Sequence, residues 1–433
     1  MSEPILLLAS GRRWLRSLAL SFLVTICACS SDSAAPPTTL YVLTFNMPHM
    51  EAEFSLWAKE FRRLHPGFDV QQIDRKGSNW AAYYHTQVIA GTAPDIIDTQ
   101  GAIWLQYASQ GGLLDLSRYL ERDRDFTNQF YPELIESWRY GGKNYGVPLY
   151  FTKTLLFYNK QMFKEAGLTQ PPRSFAELMS HARKLAGTGR YGFMTLNFDW
   201  LYWPLFAMND IRLVTPDCKR AAFNTPAARM LIEELAAATA EGIISPTSWT
   251  GRWVEPNGMF AAGNVGMFNA HSTALLWIMS NAQWVNEGSV GFAQMPGDWS
   301  VPNAHALHIS ASTRYPEQAW DFIKIVTQGS GALAFGKKLN SPTGNRVVNA
   351  QLREYFAQTN PMVLDVLGTQ FEYLDRMVAN WPLARDTEIK HAFYPEIQSA
   401  ILGNKSAADA LASAERKVNH ILSRPGGIPE DCG

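Results

Sequence analysis

Between residues 40 and 98 the apolar pattern switches repeatedly between the two-residue period of a strand and the 3.6-residue period of a helix. That alternation restricts the fold more than any other feature. Leu40 to Phe45 reads as a first buried strand, and a helix follows with Phe54, Trp57, Ala58, Phe61 and Leu64 on one face. His65-Pro66-Gly67 stops it. Phe68 to Ile73 resumes as a strand, Trp80 to Ala90 forms a helix ending at Gly91, and Pro94 to Asp98 is a third short strand. Strands alternating with helices predict an α/β layer with a parallel sheet. Ligands on such sheets sit at the carboxyl ends of strands, which points to the loops after Phe45 and after Asp98.

Farther along, Val147 to Tyr158 is extended and apolar, and Ser174 caps a helix with Glu177 completing a capping box. Helices are expected at Pro226–Thr239, Pro316–Gln328 and Ser406–Leu422, and strands at Gly288–Met295 and Ala304–Ser310. About 400 residues follow the N-terminal segment described next, more than one hydrophobic core serves, so two domains are expected. No long linker separates them, which predicts lobes joined by several crossing strands.

The first residues read as an export signal. Arg12, Arg13 and Arg16 precede a short apolar run, Ser17 to Ile26, too short to span a bilayer. The run ends at Cys27-Ala28-Cys29, before a small-polar tether reaching Thr39. This segment is similar to a bacterial lipoprotein signal, in which cleavage precedes a cysteine whose thiol carries diacylglycerol. Cys29 fits better than Cys27 because small Ala28 precedes it. The alternative is an ordinary cleaved signal, and the arginine pair partly resembles a twin-arginine signal. Either way the working protein lies outside the cytoplasmic membrane. Apart from Cys29, maturation leaves Cys218 and Cys432, which outside the cell are candidates for a disulfide.

Formal charge is -1, with 38 basic and 39 acidic residues, so no field favours nucleic acid or anionic lipid. No Gly-x-Ser-x-Gly elbow, P-loop or HExxH occurs. His305-Ala306-Leu307-His308 is HxxH without a nearby carboxylate, on a strand that sends the rings to opposite faces, so no metal or cofactor is expected.

The order of motifs resembles the family 1 extracellular solute-binding proteins, the sugar-binding components of ABC importers. GTAPDII (91–97) resembles their Gly-x-x-Pro-Asp element, and QGGLLDLSRYL (110–120) the segment after it. GVPLY with LLFYNKQMFKEAGLTQPPRSFAEL (146–178) is similar to their crossing strand, Tyr-Asn-Lys turn and Pro-Pro loop. FAAGNVGMFNAHS (260–272) resembles Phe-x-x-Gly-x-x-Ala-Met, with Gly266 in place of Ala. VGFAQMPG (290–297), ISASTRYPEQAWDFIKIVT (309–327) and AILGNKSAADALASAERKVNHIL (400–422) complete the set. The resemblance implies an α/β, two-lobed periplasmic-binding-protein fold of class II. Each lobe is a mixed sheet flanked by helices, and the ligand cleft lies at a multi-strand hinge near 150–158, 293–306 and 329–340. It places a signal peptide at 1–29, a tether at 30–39, lobe I at 40–153 and 296–330, lobe II at 154–295 and 331–425, and a tail at 426–433.

A sugar presents C–H faces to flat rings and hydroxyls to planar polar groups. TLNFDWLYWPLFAMND (195–210) resembles a maltose-binding-protein segment, and the alignment puts Trp200 at a stacking position with Asp199 beside it. Trp203 and Phe206 read as core. Asn46 follows the first strand; Gln100 and Trp104 follow the third. Tyr150 and Thr152 stand at the first crossing, where Thr152 replaces the acidic residue of maltose binders. Asn269, His271 and Ser272 follow the Gly-Met strand, Asn303 and His305 precede the return strand, and Trp249 and Trp253 bracket a loop. Arg346 lies in a C-terminal pocket loop and Arg385 follows Trp381-Pro382.

The resemblance implies a non-enzymatic, monomeric receptor, lipid-anchored to the outer face of the cytoplasmic membrane. It would hand a mono- or oligosaccharide or amino sugar to permease subunits served by a separate ATPase, with no nucleic-acid partner. The alternatives are a glycerophosphodiester receptor of the same family and a secreted carbohydrate-active enzyme using Asp95 and Asp98 as its carboxylates.

Overall fold

The computed structural model describes residues 37–47, 49–378 and 385–424. The export segment with Cys27 and Cys29, Trp381-Pro382 and Cys432 lie outside these, so the readings placed on them remain expectations.

Strand β1 (Thr38–Phe45) pairs in parallel with β2 (Phe68–Arg75) and β3 (Ile96–Gln100). Two short strands, β4 (Arg139–Tyr140) and β5 (Lys143–Asn144), form a separate ribbon. The thirteen-residue β6 (Val147–Asn159) is followed by β7 (Tyr191–Met194), β8 (Val265–His271), β9 (Val290–Ala293) and β10 (Pro302–Ile309). The order across the sheet is β2-β1-β3-β10-β6-β8-β7, with β9 also on β6. Strands β10 and β6 run antiparallel to their neighbours, so the sheet is mixed rather than parallel throughout.

The fold turns on β6. Its residues from Val147 to Lys153 pair with β10, and from Thr154 to Asn159 with β8 and β9. Each half has an apolar cluster on either face, as side-chain alternation requires. Leu40, Val42 and Leu307 enter one cluster while Leu43, Ile97 and Ala306 enter the opposite one. In the other half Leu156 packs with Leu178, Trp203 and Phe206, and Leu155 and Phe157 pack with Phe260 and Phe268. Two layered lobes therefore share one strand. The helix Gly329–Leu339 joins them again: Ala332 packs beside the Leu155 cluster, while Phe335 lies against Trp57 and Tyr150.

Local signals explain the helices. In Glu51–Leu64, Phe54, Trp57, Ala58 and Phe61 are buried as their spacing requires. Leu64 is not: it is 47% exposed, because as the last helical residue it has run past the apolar layer. Gly91 ends the helix Gly77–Ala90 in the left-handed conformation, where its N–H reaches the Gln87 and Val88 carbonyls. Ser174 Oγ accepts the Glu177 N–H at 3.1 Å, but the Glu177 carboxylate takes the Arg173 N–H, one residue earlier than a reciprocal capping box expects. The helices Pro226–Ala240, Pro316–Thr327 and Ala407–Leu422 lie where the periodicity puts them. Cys218 is buried and disulfide-bonded. Among the described residues no helix is long and apolar enough to cross a membrane.

Candidate functional site

At the carboxyl end of β1 the chain turns through Asn46, in the left-handed conformation with φ 57°. Asparagine tolerates that conformation better than most residues. Asp74 at the end of β2 fixes the turn by accepting the Thr44 hydroxyl and the Met47 N–H, both at 2.7 Å. The turn borders a cavity of about 150 Å³. Four residues singled out in the sequence line it: Asn46, Gln100, Tyr150 and His305. Phe45, Met47, His49, Met50 and Leu339 complete the wall. Sequence reasoning missed these five; position after the first strand was the only signal for most of them.

The polar end of the cavity is held from below. His305 Nδ1 lies 2.9 Å from Asp98 Oδ1, and the other Asp98 oxygen accepts the Phe45 N–H at 3.1 Å. The fold therefore supplies the carboxylate that the local sequence around His305 lacks, because β3 and β10 are antiparallel neighbours. The Tyr150 ring stacks on His305 with centroids 4.4 Å apart. Burial, reinforced by the Asp98 charge, pushes the Tyr150 hydroxyl well above its usual range, so it stays protonated. His308 points to the other face, where Thr99 and the Tyr145 carbonyl satisfy both ring nitrogens. Among the described residues no group of three or more His, Cys, Asp and Glu side chains is placed to hold a metal ion.

From this cavity a line of polar contacts crosses into the second lobe. Gln100 Nε2 donates to Asn303 Oδ1 at 2.7 Å. The Thr152 hydroxyl donates to the Asn303 carbonyl at 3.2 Å and lies 3.3 Å from His271 Nδ1. The Trp200 ring stands edge-on to His271, centroids 4.2 Å apart, and the Trp200 carbonyl accepts Asn269 Nδ2 at 3.1 Å. Strands β3, β10, β6 and β8 and the helix Asp199–Ala207 thus bring seven of the singled-out residues into one connected set: Gln100, Asn303, Thr152, His271, Trp200, Asn269 and, through β10, His305. Ser272 is buried directly after β8.

The remaining candidates lie elsewhere. Asp199 is tied to Lys390 at 2.8 Å and to the Tyr394 hydroxyl at 3.0 Å, so its carboxylate serves the contact with the helix Asp386–Ile401. Trp104 is core: it packs on Trp138 and stacks on His308. Trp249 is fully buried and donates to the Thr239 hydroxyl at 3.0 Å. An indole's spacing looks the same in core and cleft, and in these two places long-range packing took the ring inward. Trp253 is 52% exposed at the start of the helix Val254–Ala261. Arg346 holds the Asn128 carbonyl, a surface contact. Arg385 immediately precedes the helix Asp386–Ile401.

Lys153, which the sequence reading passed over, is buried where β6 changes partners. Its ammonium donates to the Glu372 carbonyl, and burial pulls its pKa down to about 8.

Burial also lowers both His271 and His308 to about 3, so each is neutral in the folded protein. The unfolded chain takes up protons near the ordinary histidine value of about 6.5. These groups therefore contribute stability that is complete above that pH and is lost as pH falls toward about 3. We expect a drop on the order of 2 kcal/mol per buried ring between neutrality and pH ~4.5. NMR titration of the rings checks this: a midpoint near the ordinary histidine value for both would refute it.

The family model described as bacterial extracellular solute-binding protein matches residues 48–328. A Brucella abortus (strain 2308) protein, described only as a binding protein, is 25% identical over 254 residues, 56% of this chain; the chain spans 60% of that relative's length. The galactooligosaccharide-binding protein of Bacillus subtilis (strain 168) is 32% identical over 114 residues, 26% of this chain and 25% of its own. An ABC transporter solute-binding protein of Thermotoga lettingae TMO, solved with alpha-D-tagatose, superposes with a TM-score of 0.75 at 22% identity, covering 89% of this chain and 100% of that one. With the two-lobed α/β architecture and a family match across most of its length, this chain belongs to the bacterial extracellular solute-binding protein family.

Proposed function

We propose that this protein is the receptor of an ABC importer: it captures a carbohydrate between its lobes and presents it to permease subunits, with ATP hydrolysed on a separate partner. In this reading it is exported, acts as a monomer and is held to the membrane by lipid on Cys29. The observation that carries the reading is the connected polar set running from the cavity wall at Gln100 through Asn303 and Thr152 to His271 and Trp200. It offers hydroxyl partners and a flat ring from both sides of the crossing strand. Such groups suit a ligand with many hydroxyls and apolar C–H faces. The sugars named for the Bacillus subtilis and Thermotoga lettingae relatives support the same class.

A glycerophosphodiester would call for cations converging on phosphate. The cavity wall instead carries Asn46, Gln100 and two histidines. The two carboxylates that the enzyme reading would use are spent on holding the fold: Asp95 accepts from the Tyr41 N–H and the Thr313 hydroxyl, and Asp98 accepts the Phe45 N–H and lies 2.9 Å from His305 Nδ1. These engagements favour binding over turnover.

Thermal melts across a library of neutral mono- and oligosaccharides test the reading, because a ligand that binds only the folded protein raises its melting point. At least one sugar should raise it and be recovered chemically unchanged. A library without effect, or a sugar recovered as products, would refute the proposal.

A further inference from the structure

Two atoms of the second lobe stand apart from the rest of the polar set. Asn269 Oδ1 and His271 Nε2 are buried and have no hydrogen-bond partner among the described residues. The two residues are two apart on β8, so their side chains leave the same face of the strand. A buried polar atom left unpaired costs about 1–3 kcal/mol, so two of them on one face of a strand require a reason.

The contacts on their other ends determine what these atoms can do. Asn269 Nδ2 faces the Trp200 carbonyl, which only accepts, so the amide orientation is settled and Oδ1 is the unpaired atom. The Thr152 hydroxyl has one proton and two partners, the Asn303 carbonyl at 3.2 Å and His271 Nδ1 at 3.3 Å. The carbonyl can only accept, so with the proton given to it the Thr152 oxygen accepts from His271 Nδ1–H. His271 is neutral in the folded protein. In that arrangement its proton sits on Nδ1, and Nε2 presents a bare lone pair. The Trp200 ring, itself partly exposed, stands edge-on beside this pair.

We propose that Asn269 Oδ1 and His271 Nε2 form an acceptor-only subsite that takes two hydroxyl donors of a bound sugar. Two hydroxyls of one sugar supply one O–H to each atom. A carboxylate or phosphate oxygen brings only further lone pairs and cannot stand in for either hydroxyl. The inference rests on the carbohydrate reading above and narrows it to sugars that turn two free hydroxyls toward β8.

Two measurements on the full-length protein test it, and they fail separately. The first needs no ligand: ¹⁵N NMR of the imidazole rings, with the His271 signals assigned by their absence in His271→Gln. The Nδ1–H tautomer is expected; a proton on Nε2 would overturn the proposal. The second is a thermal-melt panel pairing neutral galacto- and gluco-oligosaccharides with their singly deoxygenated analogues. Parent sugars that bind should shift the melt and move the His271 Nε2 resonance, and at least one deoxy analogue of each should lose most of both effects. Equal shifts from every deoxy analogue, or sugar binding that leaves the Nε2 resonance in place because the atom meets only water, would overturn it. A panel with no shifts at all refutes the carbohydrate reading and the proposal with it, while the tautomer measurement still reports on the Thr152–His271 geometry. For a neutral sugar that binds, His271→Phe should weaken affinity about ten-fold or more, as expected for losing one buried hydrogen bond. His271→Gln, which keeps an acceptor, should recover much of it. Equal affinity in the Phe variant would overturn the assignment.

Discussion

Gly192→Ala is expected to destabilise the protein by about 4 kcal/mol or more, a large fraction of the stability of a folded protein. Gly192 lies in β7, and a Cβ there would sit 1.8 Å from the Ala182 carbonyl oxygen and 2.4 Å from its carbon. Both atoms are backbone, in the helix Phe175–Leu185 that packs on β7. No rotamer change relieves the overlap. The Ala182 oxygen is also held, because it accepts the Ala186 N–H at 3.0 Å where that helix ends. On its other side the Gly192 N–H is bonded to the Ile243 carbonyl at 2.9 Å, so the strand cannot retreat freely. Helix and strand must separate, and Leu178, Ala182 and Leu185 then lose their packing in the Trp203 cluster. Gly187→Ala is the matched control, since nothing lies within 4 Å of a Cβ there. Chemical denaturation of both variants decides the matter: a Gly192→Ala protein within about 1 kcal/mol of its parent would refute this account.

The second large effect concerns ligand. Trp200→Ala should abolish measurable sugar binding, a loss of about 100-fold or more, while the unliganded protein remains folded. Three properties combine at this residue. The ring is only partly buried and joins the edges of both clusters of the second lobe rather than the middle of either. It stands against His271, and its own carbonyl orients Asn269. The carbonyl survives the substitution, so Asn269 keeps its orientation and the lost affinity reports the indole alone. Trp200→Phe should bind more weakly than the parent but detectably, because a smaller ring still offers a flat face. Calorimetric titration with a sugar found in the melting screen measures this. Affinity unchanged in Trp200→Ala would remove the ring from the site.

Local signals carried much of the architecture. The strand from Leu40, the helix carrying Phe54, Trp57, Ala58 and Phe61, the stop at Gly91 and the cap at Ser174 depend on residues within one or two turns, and each is found in place. Where local reasoning slipped, the cause was the reach of the layer: Leu64 has the right phase, but the helix has already left the sheet. The long apolar run from Val147 announced a strand and the family resemblance implied that it crosses, yet the exchange of partners after Lys153 belongs to its neighbours.

For the site, the sequence by itself determined the chemical vocabulary and the strand ends that carry it. Asn46 and Gln100 meet at one cavity because chain direction in an α/β sheet already dictates which strand ends gather there, and Tyr150 and His305 join them because β6 and β10 pair beside Gln100. Only the tertiary structure decided which rings face outward and which partners fix them. Trp104, Trp249 and Trp200 look alike as letters, and the first two went to the core because Trp138, His308 and Thr239 arrive from distant segments to receive them. The Asp98–His305 contact joins residues 207 positions apart, and His271 meets a threonine 119 positions away. Hydrogen bonds and close packing act over a few ångströms whatever the separation along the chain. A pattern read within a single segment therefore registers the groups, and the fold alone pairs them.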